Sequence, residues 1–526
     1  MSFDWAMPYS ANRSPVFAKN LVATSQPLAV EAGINAMRRG GNAVDAAIAT
    51  AITLTVVEPN NNGIGSDAFV IVHDGKALHG LNASGRSPAA MTPDRFKNQT
   101  AMPVWGWEAV TVPGAVSAWV ALSERFGMLP FADLFEVAIR HAHQGFQVGP
   151  KSGFFWRYTV DRSKRFKAFT DTFSIDGRAP AIGEVMKLPD HARTLQIIAE
   201  TRGEDFYRGA LAEAIAADAA EHGACMTAED LANHQCDWVD PISMDGFDAT
   251  LHEIPPNGQG LMALIALGIL KHIHGDLPLD SADSVHLQIE AQRIAFAEAE
   301  RHLADLSHMR VKPEALLDER YLKSRADEIS IDKANPNPTT LGAGEDTVYL
   351  TTADDNGMMV SMIQSNYRGF GSGIVVPGTG ISLQNRGSGF TLEEGHANQV
   401  GPSKRPYHTI IPGFVTKGGD AAMSFGVMGG HMQAQGHLQM MVRIMLNGQN
   451  PQAASDAPRW HVFEDGRVAL EDGFDLKVIE ALQKRGHHIV LGEQEHLFGG
   501  AQLIAKMEEG YCAGSDHRKE GLASGF

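Results

Sequence analysis

The hydrophobic pattern of the chain is clearest in a β-hairpin that it predicts in the second half. Apolar and β-branched residues dominate Val348 to Ala353 and Met358 to Gln364, and such runs favour strands. Between them stands Asp354-Asp355-Asn356-Gly357, which is typical of a tight turn. Pairing of the two strands brings Thr347 opposite Ser365 or one of its two neighbours, depending on the turn type. We therefore expect the two hydroxyl groups to lie close together.

Helices are predicted where apolar residues recur at spacings of three and four. One helix ends at Arg39, before Gly40-Gly41, and the next opens at Asn42, a favourable N-cap residue. Further helices are predicted over 117–126, 131–143 and 261–274, around His286, and from a threonine cap at Thr227. Residues 332–346 are instead rich in Pro, Asn and Gly and predict a flexible loop.

Composition and charge exclude several classes of protein. Of the 526 residues, 44% are hydrophobic and 54 are glycine, which fits a loop-rich globular protein. The net charge of −18 argues against a nucleic-acid partner, which needs a basic face. No run of about 18 apolar residues occurs, so no transmembrane helix and no membrane partner are expected. The first residues lack the basic and apolar regions of a secretory signal, and we therefore expect a cytoplasmic protein.

Metal and cofactor signals are weak. Cys225, Cys236 and Cys512 are too few and too scattered for a disulfide framework or a zinc site. His286 and Glu290 stand four apart on a predicted helix, but no third ligand follows at a useful spacing. Polar contacts along one helix face are the simpler interpretation, so no metal site is predicted. The glycine-rich stretch after the hairpin lacks the helix and the acidic residue of a dinucleotide site, so no cofactor is predicted either.

Several short motifs together resemble the γ-glutamyltransferase family. They are Gly-Gly-Asn-Ala-Val-Asp-Ala-Ala at 40–47, Asp346-Thr347, the glycine run at 369–373, and Lys404-Arg405-Pro406. The resemblance extends over nearly all of the chain. Members of that family are N-terminal-nucleophile hydrolases. This implies an α+β fold, the four-layer α/β/β/α sandwich, with two antiparallel sheets face to face.

The resemblance also implies that the chain is made in one piece and cuts itself between Asp346 and Thr347. Residues 1–346 would form a large-subunit portion, and residues 347–526 a small-subunit portion that begins with the nucleophile. Because both portions are expected to supply strands to the same sheets, the two fragments should stay associated as one interlocked domain. A homodimer is a further option.

Elementary chemistry explains why a threonine suits this position. A hydroxyl is a weak nucleophile until a base removes its proton, and an internal Thr347 has no free α-amine. Attack of its hydroxyl on the carbonyl of Asp346 shifts the chain to an ester, which water then hydrolyses. The new α-amine has a reference pKa of about 7.7 to 8.0, so it can act as general base at neutral pH.

Positions that match the family imply further site residues. Gly429 and Gly430 match the glycine pair whose backbone amides bind the oxyanion, and glycine permits the close approach that this requires. Arg86 matches an arginine that grips a substrate carboxylate, for which a planar guanidinium is well suited. Ser365 stands where many relatives carry a second threonine beside the nucleophile, and it keeps the hydroxyl.

Other positions depart from the family pattern. Tyr367 replaces an asparagine that holds the amino-acid head of the donor. Arg386 and Gly389 replace a glutamine and an aspartate that bind the α-amine. His408-Thr409 replaces a serine pair that binds the α-carboxylate. The span 390–404 is short, so the lid loop of some relatives is expected to be absent, which leaves an acyl-enzyme open to water and favours hydrolysis over transfer.

The residues leave three functional hypotheses open. The leading one is an autoprocessed γ-glutamyltransferase-like enzyme that mainly hydrolyses glutathione or other γ-glutamyl amides through an acyl-enzyme on Thr347, with transpeptidation as a further activity. The alternative acts on a dicarboxylic monoamide without an α-amine, of the glutaryl amide or oxamate type, because Arg86, Arg386 and His408 suit a carboxylate better than a zwitterion. The third is an uncleaved, non-catalytic binding protein. The intact Asp346-Thr347 junction argues against this third hypothesis.

Overall fold

Two antiparallel seven-stranded sheets form the centre of the fold in this computed structural model, which describes residues 13–335 and 347–526. The strands are, in chain order, β1 (Val16–Ala18), β2 (Leu21–Thr24), β3 (Asp67–His73), β4 (Leu78–Ala83), β5 (Phe146–Gln147), β6 (Val185–Met186), β7 (Asp237–Val239), β8 (Ile242–Gly246), β9 (Ala249–Glu253), β10 (Val348–Ala353), β11 (Met359–Ser365), β12 (Gly413–Lys417), β13 (Asp420–Met428), β14 (Trp460–Val462), β15 (Val468–Leu470), β16 (Ile489–Val490), β17 (Gly500–Lys506), β18 (Tyr511–Ser515) and β19 (Leu522–Gly525).

Each sheet contains strands from both sides of position 347. The first sheet has the order β19-β2-β10-β11-β3-β4-β7 and the second the order β1-β18-β17-β13-β12-β9-β8. The β10–β11 hairpin therefore lies between two strands from the first half of the chain, β2 and β3. Two smaller sheets, β14-β15-β16 and β5-β6, complete the strands of the described residues.

Helices cover the outer faces of the two large sheets. They are α1 (Pro27–Arg38), α2 (Ala43–Val57), α3 (Ala115–Phe126), α4 (Glu136–Gln144), α5 (Pro150–Ser163), α6 (Lys167–Phe173), α7 (Pro189–Thr201), α8 (Glu204–Arg208), α9 (Ala210–Glu221), α10 (Ala228–Ala232), α11 (Gly260–Leu270), α12 (Ala282–His302), α13 (Pro313–Leu316), α14 (Glu319–Ala326), α15 (Met432–Met440), α16 (Pro451–Asp456) and α17 (Leu476–Lys484). Within the described ranges, none of them combines the length and the apolar character needed to cross a membrane.

Three hydrophobic clusters fill the three interfaces between four layers of helices and sheets. A middle cluster that includes Phe69, Tyr349 and Phe414 fills the space between the sheets. A second cluster joins the first sheet to α2, α3 and α4, and a third joins the second sheet to α11, α12 and α15. Side chains alternate along β10, so Tyr349 enters the middle cluster while Leu350 faces α2. The predicted four-layer α/β/β/α sandwich is confirmed.

The predicted helices are present, with differences at their ends. Asn42 caps α2, as the sequence predicted, and a reciprocal pair of hydrogen bonds with Asp45 completes the cap. The helix predicted over 261–274 ends earlier, at Leu270. In the turn that follows, the N–H of Ile273 donates to the carbonyl of Leu270, three residues earlier. Hydrogen bonds of this spacing tighten the chain and do not continue an α-helix.

Candidate active site

The hairpin places Thr347 beside Ser365, as the sequence predicted. Val348 pairs with Gln364, so Thr347, one residue before β10, meets the last residue of β11. The hydroxyl of Thr347 donates to Oγ of Ser365 across 3.2 Å. Thr347 is only 1% exposed. Asp346, the other side of the predicted cut, lies outside the described residues.

Tyr367 connects this pair to the rest of the site. Its φ of +79° is rare for a residue with a side chain and marks a sharp turn out of β11. The turn directs its N–H back to Oγ of Ser365, at 2.8 Å. Its ring lies against the guanidinium of Arg386, 4.6 Å from the ring centroid. One short segment therefore joins the candidate nucleophile to a buried cation.

A polar network that sequence analysis did not predict holds the end of β11. The side-chain oxygen of Asn366 accepts from the hydroxyl of Ser66 at 2.8 Å. Two residues before Asn366, Gln364 accepts from the indole N–H of Trp119 at 2.9 Å and donates to Asn62 at 2.7 Å. All five side chains are buried, so the residues directly before and after Ser365 are both held by hydrogen bonds.

The glycine pair lies where β13 ends and α15 begins. Gly429 and Gly430 have φ values of +114° and +57°, a region that favours glycine. Their carbonyl oxygens accept from the N–H groups of Met432, at 2.9 Å, and Gln433, at 3.2 Å. These bonds fix the peptide planes of the pair, and the start of α15 adds a positive potential that suits a developing oxyanion.

Gln259 is a supporting residue that sequence analysis missed. Its side-chain amide donates to the carbonyl oxygens of Gly430, at 2.8 Å, and of Thr409. It thereby ties the glycine pair to the strand-like segment that carries His408. In the sequence it stands in the proline- and glycine-rich stretch 255–260, where nothing marks it as part of a site.

The two sheets are also bridged between the nucleophile strand and the glycine strand. The ring of Tyr349 lies so close to Gly426 that an added Cβ would stand 2.4 Å from it. On the same faces, the hydroxyls of Thr351 and Ser424 are 2.6 Å apart. These contacts set the separation between β10 and β13, and hence between Thr347 and the glycine pair.

Arg386 is fully buried and only partly paired. Its Nη1 donates to the hydroxyl of Thr409 at 2.8 Å. Among the described residues, its Nε and Nη2 have no hydrogen-bond partner. Burial lowers its pKa to about 10, although the nearby carboxylate of Asp67 opposes the shift, so the guanidinium remains charged at neutral pH.

Asp67 forms a buried pair with His408, and sequence analysis did not single it out. Its Oδ2 lies 3.2 Å from Nε2 of His408, while its Oδ1 accepts the N–H groups of Gly85 and Gly114. Burial raises the pKa of Asp67 to about 7, against the effect of Arg386. Burial, together with nearby arginines, holds the pKa of His408 well below its usual value, so the imidazole is neutral.

Arg86 lies in a different environment from Arg386. Its side chain is 42% exposed and approaches the carboxylates of Asp305, at 3.2 Å, and Asp237, at 3.8 Å. It lines a cavity of about 330 Å³ together with Lys312 and Arg405. The carboxylates of Asp305 and Asp237 already offset its positive charge. Its role in binding a substrate carboxylate stays a prediction.

Comparison with known proteins identifies the family of the chain. Residues 29–526 match the γ-glutamyltranspeptidase family. The chain is 35% identical to the glutathione hydrolase-like YwrD proenzyme of Bacillus subtilis, over 98% of this chain and 100% of that protein. It is 33% identical to the oxamate amidohydrolase proenzyme of Klebsiella pneumoniae, over 98% and 99% respectively. The crystal structure of a cephalosporin acylase from Bacillus halodurans superposes with a TM-score of 0.95 at 46% identity, covering 100% of this chain and 99% of that one. The chain therefore belongs to the γ-glutamyltranspeptidase family and is an amidohydrolase of the N-terminal-nucleophile type.

Proposed function

We propose that this enzyme cuts itself before Thr347 and then hydrolyses amides of dicarboxylic acids that lack an α-amine, through an acyl-enzyme on Thr347. The observation that carries the proposal is the unpaired edge of Arg386. Nε and Nη2 lie on the same edge of a guanidinium, the one that binds a carboxylate through two parallel hydrogen bonds. An unpaired buried cation is costly, and a substrate carboxylate at this edge would remove that cost.

A chain of contacts from Arg386 to the nucleophile supports the proposal. Tyr367 contacts Arg386 with its ring and Ser365 with its N–H, and Ser365 contacts Thr347. A substrate whose far carboxylate binds Arg386 can thus present an amide carbonyl toward Thr347. The length of the acyl chain between the two groups is the remaining variable.

The surroundings of Arg386 are poorly suited to pair with the α-amine of a γ-glutamyl substrate. Asp67 is the carboxylate that acts most strongly on Arg386, and its oxygens already accept from two backbone N–H groups and face His408. A cationic amine next to Arg386 would also be repelled. The names of two similar proteins, a cephalosporin acylase and an oxamate amidohydrolase, point to amides other than γ-glutamyl ones.

The reaction that we infer uses the residues named above. The α-amine of Thr347 takes the proton of its own hydroxyl, and Oγ1 bonds to the amide carbon. The N–H groups of Gly429 and Gly430 stabilise the oxyanion until the C–N bond breaks and the leaving amine takes the proton. Water then attacks the ester with the same amine as base, releasing the acid and restoring the hydroxyl.

Hydrolysis of γ-glutamyl amides such as glutathione is the second candidate. Similarity to the glutathione hydrolase-like YwrD proenzyme favours it, and the same nucleophile and oxyanion site would serve. The two candidates differ in one chemical group, the α-amine of the acyl part.

Three p-nitroanilides separate the candidates. The glutaryl and L-γ-glutamyl compounds differ only by the α-amine, and the glutaryl and butyryl compounds differ by the carboxylate. We expect kcat/KM to be highest for the glutaryl compound. A preference for the γ-glutamyl compound would replace our proposal with the second candidate, and equal rates for glutaryl and butyryl compounds would remove the carboxylate site.

A further inference from the structure

A cluster of three buried side chains lies outside the active site. His286 and Glu290 belong to α12, and His487 stands just before β16. One potential ligand atom from each of them lies within 4.8 Å of the other two. We propose that these residues form a binding site for a divalent transition metal of the zinc type. The sequence offered no third ligand near His286 and Glu290, but the fold brings one from 201 residues further along the chain.

His286 is oriented as a metal ligand usually is. Its Nε2 lies 2.7 Å from the carbonyl oxygen of Ser330, and because a carbonyl only accepts, Nε2 carries the proton. The lone pair of Nδ1 is therefore directed into the cluster. A ligating histidine whose other nitrogen donates to a backbone carbonyl is a common arrangement around zinc.

His487 supplies a second nitrogen that faces the first. Its Nε2 lies 2.7 Å from Nδ1 of His286, whereas two nitrogens bound to one tetrahedral zinc ion stand about 3.3 Å apart. A small rotation of either ring provides the difference. Because Nδ1 of His286 accepts, Nε2 of His487 carries its proton in this contact. Metal binding moves that proton to Nδ1 of His487, which has no hydrogen-bond partner among the described residues.

Glu290 is held by contacts that leave room for a metal. One of its oxygens accepts from Arg293 at 3.2 Å and the other from the N–H of Asn335 at 2.9 Å. Each carboxylate oxygen has two lone pairs, so one can bind a metal while keeping its present donor. The charge of Arg293 opposes that of the ion. We therefore expect weaker binding than in a structural site built from thiolates.

The site would join the two portions of the chain. Ser330 and Asn335, which contact two of the ligands, precede Thr347 by a short stretch, and His487 follows it. A metal bound here would hold the end of the large-subunit portion against the small-subunit portion. This role is independent of the substrate proposed above, because none of the three ligands belongs to the active site.

Metal binding can be tested without measuring turnover. The purified protein is stripped with a chelator and titrated with ZnCl₂ by calorimetry, beside His487→Gln, Glu290→Gln and His488→Gln. His488 is the exposed neighbour of His487 and controls for adventitious surface binding. Circular dichroism verifies that each variant is folded. We expect one zinc ion per chain in the parent and in His488→Gln, at least tenfold weaker binding in the other two variants, and a tetrahedral visible spectrum when Co²⁺ replaces Zn²⁺.

Two results would overturn the proposal. One is the absence of stoichiometric zinc binding by the parent protein. The other is binding that His487→Gln retains or that His488→Gln loses to the same extent. Either result would leave the cluster as a set of polar contacts between α12 and the C-terminal part of the chain.

Discussion

The hydroxyl of Thr347 donates to Oγ of Ser365, and that same oxygen accepts the N–H of Tyr367. Ser365 thus orients the nucleophile and is itself fixed by the residue that contacts Arg386. The segment from Ser365 to Tyr367 therefore contacts both the nucleophile and the candidate carboxylate site.

Replacing Ser365 by Ala should lower kcat far more than it changes KM. The lost hydrogen bond orients the attacking hydroxyl, and hydrogen bonds between neutral groups contribute about 0.5–1.5 kcal/mol, or about 2- to 10-fold in rate. Ser365→Thr keeps the hydroxyl and should retain most of the activity. Steady-state kinetics of both variants provide the check, and equal losses in the two would show that the hydroxyl is not the group that matters.

Replacing Arg386 by Gln should raise KM for the glutaryl anilide at least tenfold and leave the butyryl anilide unaffected. The reason is that the carboxylate loses its two hydrogen bonds from Nε and Nη2. Arg86→Gln is the matched variant, because the sequence also predicts that Arg86 binds a substrate carboxylate. A selective effect of Arg86→Gln, with none from Arg386→Gln, would move the carboxylate site to the cavity beside Asp305.

Binding of an acid-bearing substrate should weaken as the pH rises through about 7. Asp67 has its pKa raised to about 7 by burial, so it is neutral below that pH and charged above it. Once charged, it competes for Arg386 and repels the carboxylate of the substrate. KM for the glutaryl anilide should therefore increase with pH in the parent enzyme and stay flat in Asp67→Asn. A pH-dependent KM that persists in Asp67→Asn would assign the titration to another group.

Replacing Gly429 by Ala should reduce kcat by about 10²- to 10³-fold. The φ of +114° disfavours a side chain, and the added Cβ would lie 3.1 Å from Cα of Gly499, so the peptide that forms the oxyanion site must shift. Gly448→Ala is the control, since Gly448 also has a positive φ but open space around it. Gly448→Ala should cost about 1–2 kcal/mol of stability at unchanged kcat, whereas similar kcat values for both variants would argue against an oxyanion role for Gly429.

Local patterns were sufficient to predict much of this arrangement. The hairpin and the position of Thr347 beside Ser365 follow from two apolar runs around one turn, and the cap at Asn42 follows from neighbouring residues. The four-layer fold and the role of the glycine pair were predicted only from the resemblance to a family. Asp67 and its partner His408 are 341 residues apart, and Gln259 reaches Gly430 across 171 residues. Such pairs leave no local pattern, because the folded sheets alone bring them together.

The most direct test of the account is the intact mass of the purified protein, measured beside Thr347→Ala and after brief exposure of both to the glutaryl anilide. The account predicts two fragments that meet between Asp346 and Thr347, one uncut chain in the variant, and a glutaryl adduct on the fragment that begins with Thr347. An active protein that remains one uncut chain, or an adduct on a different residue, would contradict the assignment of Thr347 as the nucleophile.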